Sequence, residues 1–376
     1  MSQAPSTRHM VELDALRFLA ALLVCVYHLG YAVWADPRSG LHEFAGPSYR
    51  FPELQFLSFG WVGVQVFFVI SGMVIAASAE AARPAGFLLS RARRLFPAVW
   101  ICATVSMGLA LYFQIRTPDV LWGRYLNSIT LLPSYPYIEG VYWTLQVEIY
   151  FYAAVAAFCY AFGNGNLVRL AHALAVASAA YLICEAAGVV SLPKRIENTL
   201  LLQHGALFAL GMYLHAWSRG RLGIHHAAVV AIAMAGSILS IRAHAQDVLS
   251  QSHLEPSTLY AALPYLAWVA SLVACIMAVA RPIRPPRSVA SALRTLGLAS
   301  YPLYLVHYTL GVVLTKAIGA AGGSPAAGLA MATATACGLS IVIALYAEPW
   351  IRSRTFGRLP SLRVVRRQAA SIAEPS

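Results

Sequence analysis

Residues 60–79 read GWVGVQVFFVISGMVIAASA, twenty positions without one charged side chain. At about 1.5 Å rise per residue such a run forms a helix of about 30 Å, the thickness of a bilayer's hydrocarbon core. Similar runs recur on both sides of it, at 15–34, 95–114, 143–162, 168–190, 200–217, 226–241, 259–280, 296–317 and 326–347, which makes ten candidate spans. The sixth and seventh are the shortest. Across 376 residues 59% are hydrophobic and only 11% charged, a balance that a water-facing surface would not tolerate. The fold class expected is therefore an all-α integral membrane protein of about ten transmembrane helices.

The formal net charge is +12, but the basic residues fall between the spans instead of on one soluble face, so no nucleic acid partner is expected. With the N-terminus inside, eighteen of the 27 Lys and Arg side chains lie in cytoplasmic segments and seven in outer loops. That asymmetry obeys the positive-inside rule and puts both termini in the cytoplasm. A membrane domain over 1–351 and a basic cytoplasmic tail over 352–376 follow from it. The first span is read as a mature helix, not a signal peptide, because it is long and carries Arg17 and His28. All six cysteines lie within spans without a CxxC pair, so neither disulfides nor a metal site is expected.

Ionisable side chains inside a bilayer are costly, so each one calls for an account. Arg17 and His28 stand eleven residues apart, about 20° in azimuth and about 16 Å in height on an ideal helix. They share one face, with Arg17 near the cytoplasmic end and His28 in the outer half. The bland account has Arg17 reaching lipid phosphates and His28 hydrogen-bonded in the interior. The small residues of Gly60–Gly72 suit close helix packing or a ligand. Arg91 and Arg94 lie one helical turn apart, with forked donors that suit phosphate, although a positive-inside cluster needs no ligand. Glu148 is the acid of the fourth span, at a depth like that of His28, where a carboxylate and an imidazole make a base with its orienting partner or a carboxylate simply pairs with an arginine. His307 is a second intramembrane histidine, and Glu348 sits beside Pro349 at the end of the last span.

These pieces occur in a fixed order: Arg17 with ten residues before His28; Phe67-Phe68-Val-Ile-Ser71-Gly72; Arg91-x-x-Arg94 with Pro97; Trp143-Thr-Leu-x-x-Glu148; Ser300-Tyr301-x-x-Tyr304-Leu-x-His307; and Glu348-Pro349-Trp350. In that order the chain resembles the acyltransferase-3 family of polytopic bacterial enzymes, which acylate O-antigen, exopolysaccharide, Nod-factor and some macrolide sugars. The likeness runs from Leu13 to about Trp350. It departs at Thr144, where serine is commoner, and no appended extracytoplasmic esterase-like domain is expected.

The resemblance implies a membrane-bound O-acyltransferase, chiefly an O-acetyltransferase, of the bacterial cytoplasmic membrane. Its co-substrate would be acetyl-CoA or another short acyl-CoA, with no bound cofactor. The acceptor would be a hydroxyl of a cell-surface glycan or its lipid-linked precursor, with a macrolide or other small glycoside as the alternative. Arg17, His28 and Glu148 become catalytic candidates, with Glu148 orienting His28. Arg91, Arg94, Phe67, Phe68, Ser71 and Gly72 become donor-binding candidates. Tyr142, Trp143, Tyr301, His307 and Glu348 become acceptor or supporting candidates. The rival class is a proton-coupled transporter or flippase, in which the same intramembrane charges form a relay; the absence of an evident internal repeat weighs against it.

Overall fold

The computed structural model describes residues 10–133, 136–251 and 258–357, and among them every regular element is a helix. Among the described residues nine helices are long and apolar enough to cross a membrane. They are α1 (Val11–Ala35), α2 (Pro52–Glu80), α3 (Pro84–Tyr112), α5 (Gly140–Phe162), α6 (Asn164–Ala186), α8 (Ile224–Ser250), α9 (Leu259–Ala280), α10 (Arg287–Ala320) and α11 (Pro325–Thr355). Between α3 and α5, the helix α4 (Pro118–Thr130) turns Trp122 and Leu126 outward, as a helix lying in the interface does. Another helix, α7 (Gly205–Ser218), has only fourteen residues, twelve of them buried. It is the sixth expected span, short because α2, α6 and α8 surround it.

Two glycines explain how α7 fits. A Cβ on Gly72 would collide with the backbone of Phe208, and one on Gly211 with the backbone of Val69 and Met73. The two helices therefore cross at backbone contact, the way small residues let helices associate in lipid. Gly72, expected on the donor path, faces α7 instead.

The ends of the spans differ from their expected bounds wherever polar residues continue a helix beyond its apolar run. The seventh span, expected to stop at 241, continues in α8 to Ser250 and carries Arg242, His244 and Asp247 with it. The spans expected to begin at 95 and 296 begin at Pro84 and Arg287, so Arg91, Arg94 and Arg294 are helical. The last helix runs to Thr355, past the expected domain boundary at 351. Residues 358–376 of the basic tail, and Arg8, lie outside the described residues.

Contacts between remote segments define two ends of the bundle. At one end, rich in arginine, Glu12 accepts from the Ile283 backbone, Asp14 packs on Gly297, and Arg93 donates to the Phe356 carbonyl. At the other end, Arg38 reaches Asp247, Ser39 reaches Tyr308, and Arg116 donates to the Gly40 carbonyl. α1 and α10 lie side by side through the middle, so that the two histidines on them are neighbours although 279 residues apart.

Candidate active site

Two cavities in the bundle share part of their walls. The inner one, about 90 Å³, takes its polar wall from Arg17, Ser71, Arg91, Arg94 and Glu148, at the arginine-rich end. Its apolar wall includes Phe67, Phe68 and Tyr301. The outer one, about 1250 Å³, holds His28, Trp61, Gln65, Trp143, His204 and Tyr308 in its wall. Val64 and Tyr304 belong to both walls, and their place between the two cavities is the neck. Tyr304 is held in place by its hydroxyl, which donates to the Val141 carbonyl at 3.2 Å and lies 3.0 Å from the Thr144 hydroxyl. The threonine found in place of the commoner serine thus supplies its hydroxyl at the neck.

His28 opens a π-helical turn, His28–Ala32, inserted in α1. Such turns interrupt the regular hydrogen-bond ladder and often mark functional positions. Here side chains serve the turn's carbonyls: Tyr49 donates to Leu29 at 3.0 Å and Trp34 to Gly30 at 2.7 Å.

The hydrogen-bond network assigns the tautomers of both histidines. Nδ1 of His307 lies 3.1 Å from the Leu303 carbonyl and 3.0 Å from that of Tyr304. Carbonyls only accept, so this nitrogen carries the proton. In a neutral ring its Nε2 then has the lone pair, and it accepts from Nδ1 of His28 at 3.0 Å. Nε2 of His28 is consequently the nitrogen left with a lone pair, on a residue that lines the outer cavity. That is the state a general base or nucleophile requires.

The partner expected for His28 was Glu148, and the structure separates them. Glu148 accepts from the Ser71 hydroxyl at 2.6 Å in the inner cavity, among Arg17, Arg91 and Arg94. Equal depth estimated along two helices does not decide which faces meet. His307 occupies the place beside His28, and the carboxylate goes to the arginines. Arg17 also approaches Asp14 at 3.6 Å.

Of the supporting candidates, Trp143 lines the outer cavity and Tyr301 the inner one, where its hydroxyl donates to the Leu95 carbonyl at 3.3 Å. Tyr142 lines neither; it is fully buried, with its ring near Tyr137. Glu348 is bound to Arg352 one turn along α11. It lines neither cavity.

Sequence reasoning passed over Glu139, Ser39, Tyr308 and the Arg38–Asp247 pair. Glu139 precedes the fourth span and is fully buried, accepting from the Ser106 hydroxyl at 2.5 Å and from the Thr309 backbone at 3.3 Å. Burial raises its carboxyl to about 7, against the opposing effect of those two donors. An acid in a loop gave no signal of burial. Tyr308 stands with its ring 5.0 Å from that of His28 and its hydroxyl 2.5 Å from that of Ser39. Its adjacency to His307 was the available clue.

Among the described residues no group of three or more His, Cys, Asp and Glu side chains is placed to hold a metal ion.

The family profile described as "Acyltransferase domain" matches residues 10–347. The chain is 28% identical over 303 residues to the exopolysaccharide production protein ExoZ of Rhizobium meliloti, covering 76% of this chain and 87% of that protein. It is 30% identical over 175 residues to nodulation protein 10 of Rhizobium leguminosarum bv. viciae, covering 40% of this chain and 44% of that one. A third relative is the peptidoglycan O-acetyltransferase OatA of Listeria monocytogenes, 25% identical over 219 residues, which are 56% of this chain and 29% of OatA. No solved structure matches the chain.

Proposed function

The chain belongs to the acyltransferase-3 family, and from that premise we propose that it moves a short acyl group, chiefly acetyl, from cytoplasmic acyl-CoA to a hydroxyl of a cell-surface glycan or its lipid-linked precursor. The observation that carries this reading is a pair of cavities of different chemistry that share Val64 and Tyr304 in their walls. One is lined by arginines and the other by a histidine with aromatic rings. The excess of arginine at the inner-cavity end supports taking that end as cytoplasmic. The relatives' names support the acceptor class, since one concerns exopolysaccharide production and another peptidoglycan O-acetylation.

In this reading Arg91 and Arg94 hold the donor's phosphates, with Arg17 deeper on the same path. Glu148 offsets the charge of the three guanidinium groups, which would otherwise repel one another in a low dielectric. The pantetheine arm passes Phe67 and Phe68 and presents the thioester carbonyl at the neck. On the outer side the acceptor hydroxyl gives its proton to Nε2 of His28 as its oxygen attacks the carbonyl carbon. A C–O bond forms, the C–S bond breaks, and CoA leaves as thiolate to take the proton back from the imidazolium. His307 keeps accepting from Nδ1 of His28 throughout, so the ring that receives the proton does not rotate. This is a positioning role like that of the acid in a catalytic triad.

The test uses sealed, oriented vesicles with labelled acetyl-CoA on the cytoplasmic side and a membrane-impermeant glycan acceptor on the other. Label should appear in the outer glycan and disappear with His28→Ala. Label confined to acceptor on the donor's own side would refute the transmembrane arrangement. Normal transfer by folded His28→Ala protein would refute the assignment of the base.

A further inference from the structure

Two side chains in the outer cavity's wall each carry a buried polar atom without a hydrogen bond, and neither has a place in the transfer step. Gln65, on α2, is 1% exposed, and its Oε1 makes no hydrogen bond. His204, in the turn before α7, is 2% exposed, and its Nδ1 makes none either. Both line the cavity that holds His28. A buried polar atom left without a partner costs free energy, so a site that keeps two of them in one cavity wall is built to have them satisfied by something that enters.

The surroundings specify what enters. The His204 ring is gripped by Phe68 and Trp143, at centroid distances of 4.8 and 5.6 Å, which holds its orientation. Trp143 lines the same cavity, as a platform of the kind on which the apolar face of a pyranose rests. Two of the three Lys and Arg side chains in the cavity's wall are already paired, and the third, Arg195, is exposed. Arg38 is bound to Asp36 and Asp247, and Lys194 to Glu197. A neutral ligand with several hydroxyls satisfies Gln65 and His204 without disturbing those pairs. An anion would have to compete with carboxylates for them.

We propose that Gln65 and His204 form a sugar-recognition subsite, in which the amide oxygen of Gln65 accepts from, and the imidazole Nδ1 of His204 pairs with, hydroxyls of a neutral pyranose other than the one acylated. The subsite rests on the acyltransfer reading for its purpose, but not for its chemistry. It selects the acceptor by its non-reacting hydroxyls, because a site with polar atoms awaiting partners rejects analogues that lack them.

The experiment measures binding without turnover. Octyl β-D-glucopyranoside, below the concentration at which it forms micelles, is titrated into the protein in lipid nanodiscs. Tryptophan fluorescence is the readout, since Trp61 and Trp143 line the cavity, and empty nanodiscs correct for partitioning into lipid. The parent should bind saturably. Gln65→Leu and His204→Phe should each weaken binding by about tenfold or more, while leaving CoA binding unchanged as the measure of a correct fold. A series of octyl glucosides lacking one hydroxyl each gives the coupling: the analogue that loses about tenfold against the parent should lose nothing further against the matching variant. A loss merely structural in origin would not show that match.

Equal affinities in parent and variants, additive losses across the series, or no saturable binding by the parent would overturn the subsite. Labelled acetyl-CoA added to the same preparations keeps the two readings apart. Turnover with any of those three outcomes refutes the subsite alone. Matched coupling in a protein that never consumes acetyl-CoA refutes the acyltransfer reading and leaves the subsite standing.

Discussion

His307→Leu removes the acceptor from His28 and keeps an apolar side chain of similar bulk. In the parent, Nδ1 of His28 donates to Nε2 of His307 across 3.0 Å, in a place where His307 is fully buried. Without that acceptor, the proton on Nδ1 faces the cost of an unsatisfied buried donor, about 1–3 kcal/mol. The ring lowers the cost by moving its proton to Nε2. That tautomer has no lone pair for the acceptor hydroxyl. The same 1–3 kcal/mol shrinks the competent population by a factor of about 5 to 150. Losing a charge-assisted bond to the imidazolium, roughly twice as strong as a neutral one, brings the expected fall in kcat to about 10²–10³.

The donor should not notice, because His307 lines neither cavity and the arginines are untouched. KM for acyl-CoA should stay within about twofold, as expected when an interaction of the transition state alone is removed. His307→Gln, whose amide oxygen accepts a hydrogen bond, should recover part of the loss. The assay is initial-rate acetyl transfer by detergent-purified protein with a monodisperse elution profile. A folded His307→Leu protein with kcat within about twofold of the parent would refute the tautomer argument, and with it the role of Nε2.

Arg91→Ala combined with Arg94→Ala should raise KM for acyl-CoA at least tenfold with little change in kcat, since phosphates keep their charge through the reaction. Unchanged calorimetric affinity for CoA would return both arginines to topology. For Glu139, burial raises the carboxyl from 4.5 to about 7, so the folded chain retains a proton that the unfolded chain releases. The sign follows: its contribution to stability is complete below about pH 4.5, declines by about 1.4 kcal/mol per pH unit, and is lost above about pH 7, a fall of about 3 kcal/mol. Glu139→Gln should flatten that decline, and thermal unfolding midpoints that run parallel for parent and variant from pH 4.5 to 8.5 would contradict it. Gly72→Ala should destabilise the α2–α7 crossing by about 1–3 kcal/mol, because its new Cβ meets backbone at Phe208. A variant with an unchanged unfolding midpoint would show that the helices can part without cost.

What the sequence by itself determined follows from the cost of exposing polar groups to lipid. Runs such as 60–79 have one stable solution, a helix across the bilayer, and the arginine asymmetry orders the loops. The ionisable residues left inside those runs are few, and each needed a reason, so Arg17, His28, Glu148 and His307 stood out before any coordinate was known. The order of the motifs sufficed to read the family. Span length was legible as long as hydrophobicity alone ended a helix, and it failed at α8, where Arg242, His244 and Asp247 continue the helix into the Arg38 contact.

Only the tertiary structure decided who meets whom. Periodicity places a side chain on a face of its own helix but says nothing about which other helix that face opposes. The π turn at His28 adds a local rotation that an ideal helix omits. For that reason Glu148 was paired on depth with a histidine it does not touch, while His307 met that histidine across 279 residues. For the same reason Gly72 belongs to a helix crossing, Glu139 is buried although a loop holds it, and Val64 with Tyr304 stands between two cavities. Each of these is a relation between helices, set by packing in three dimensions, and a linear pattern of apolar and polar residues does not encode it.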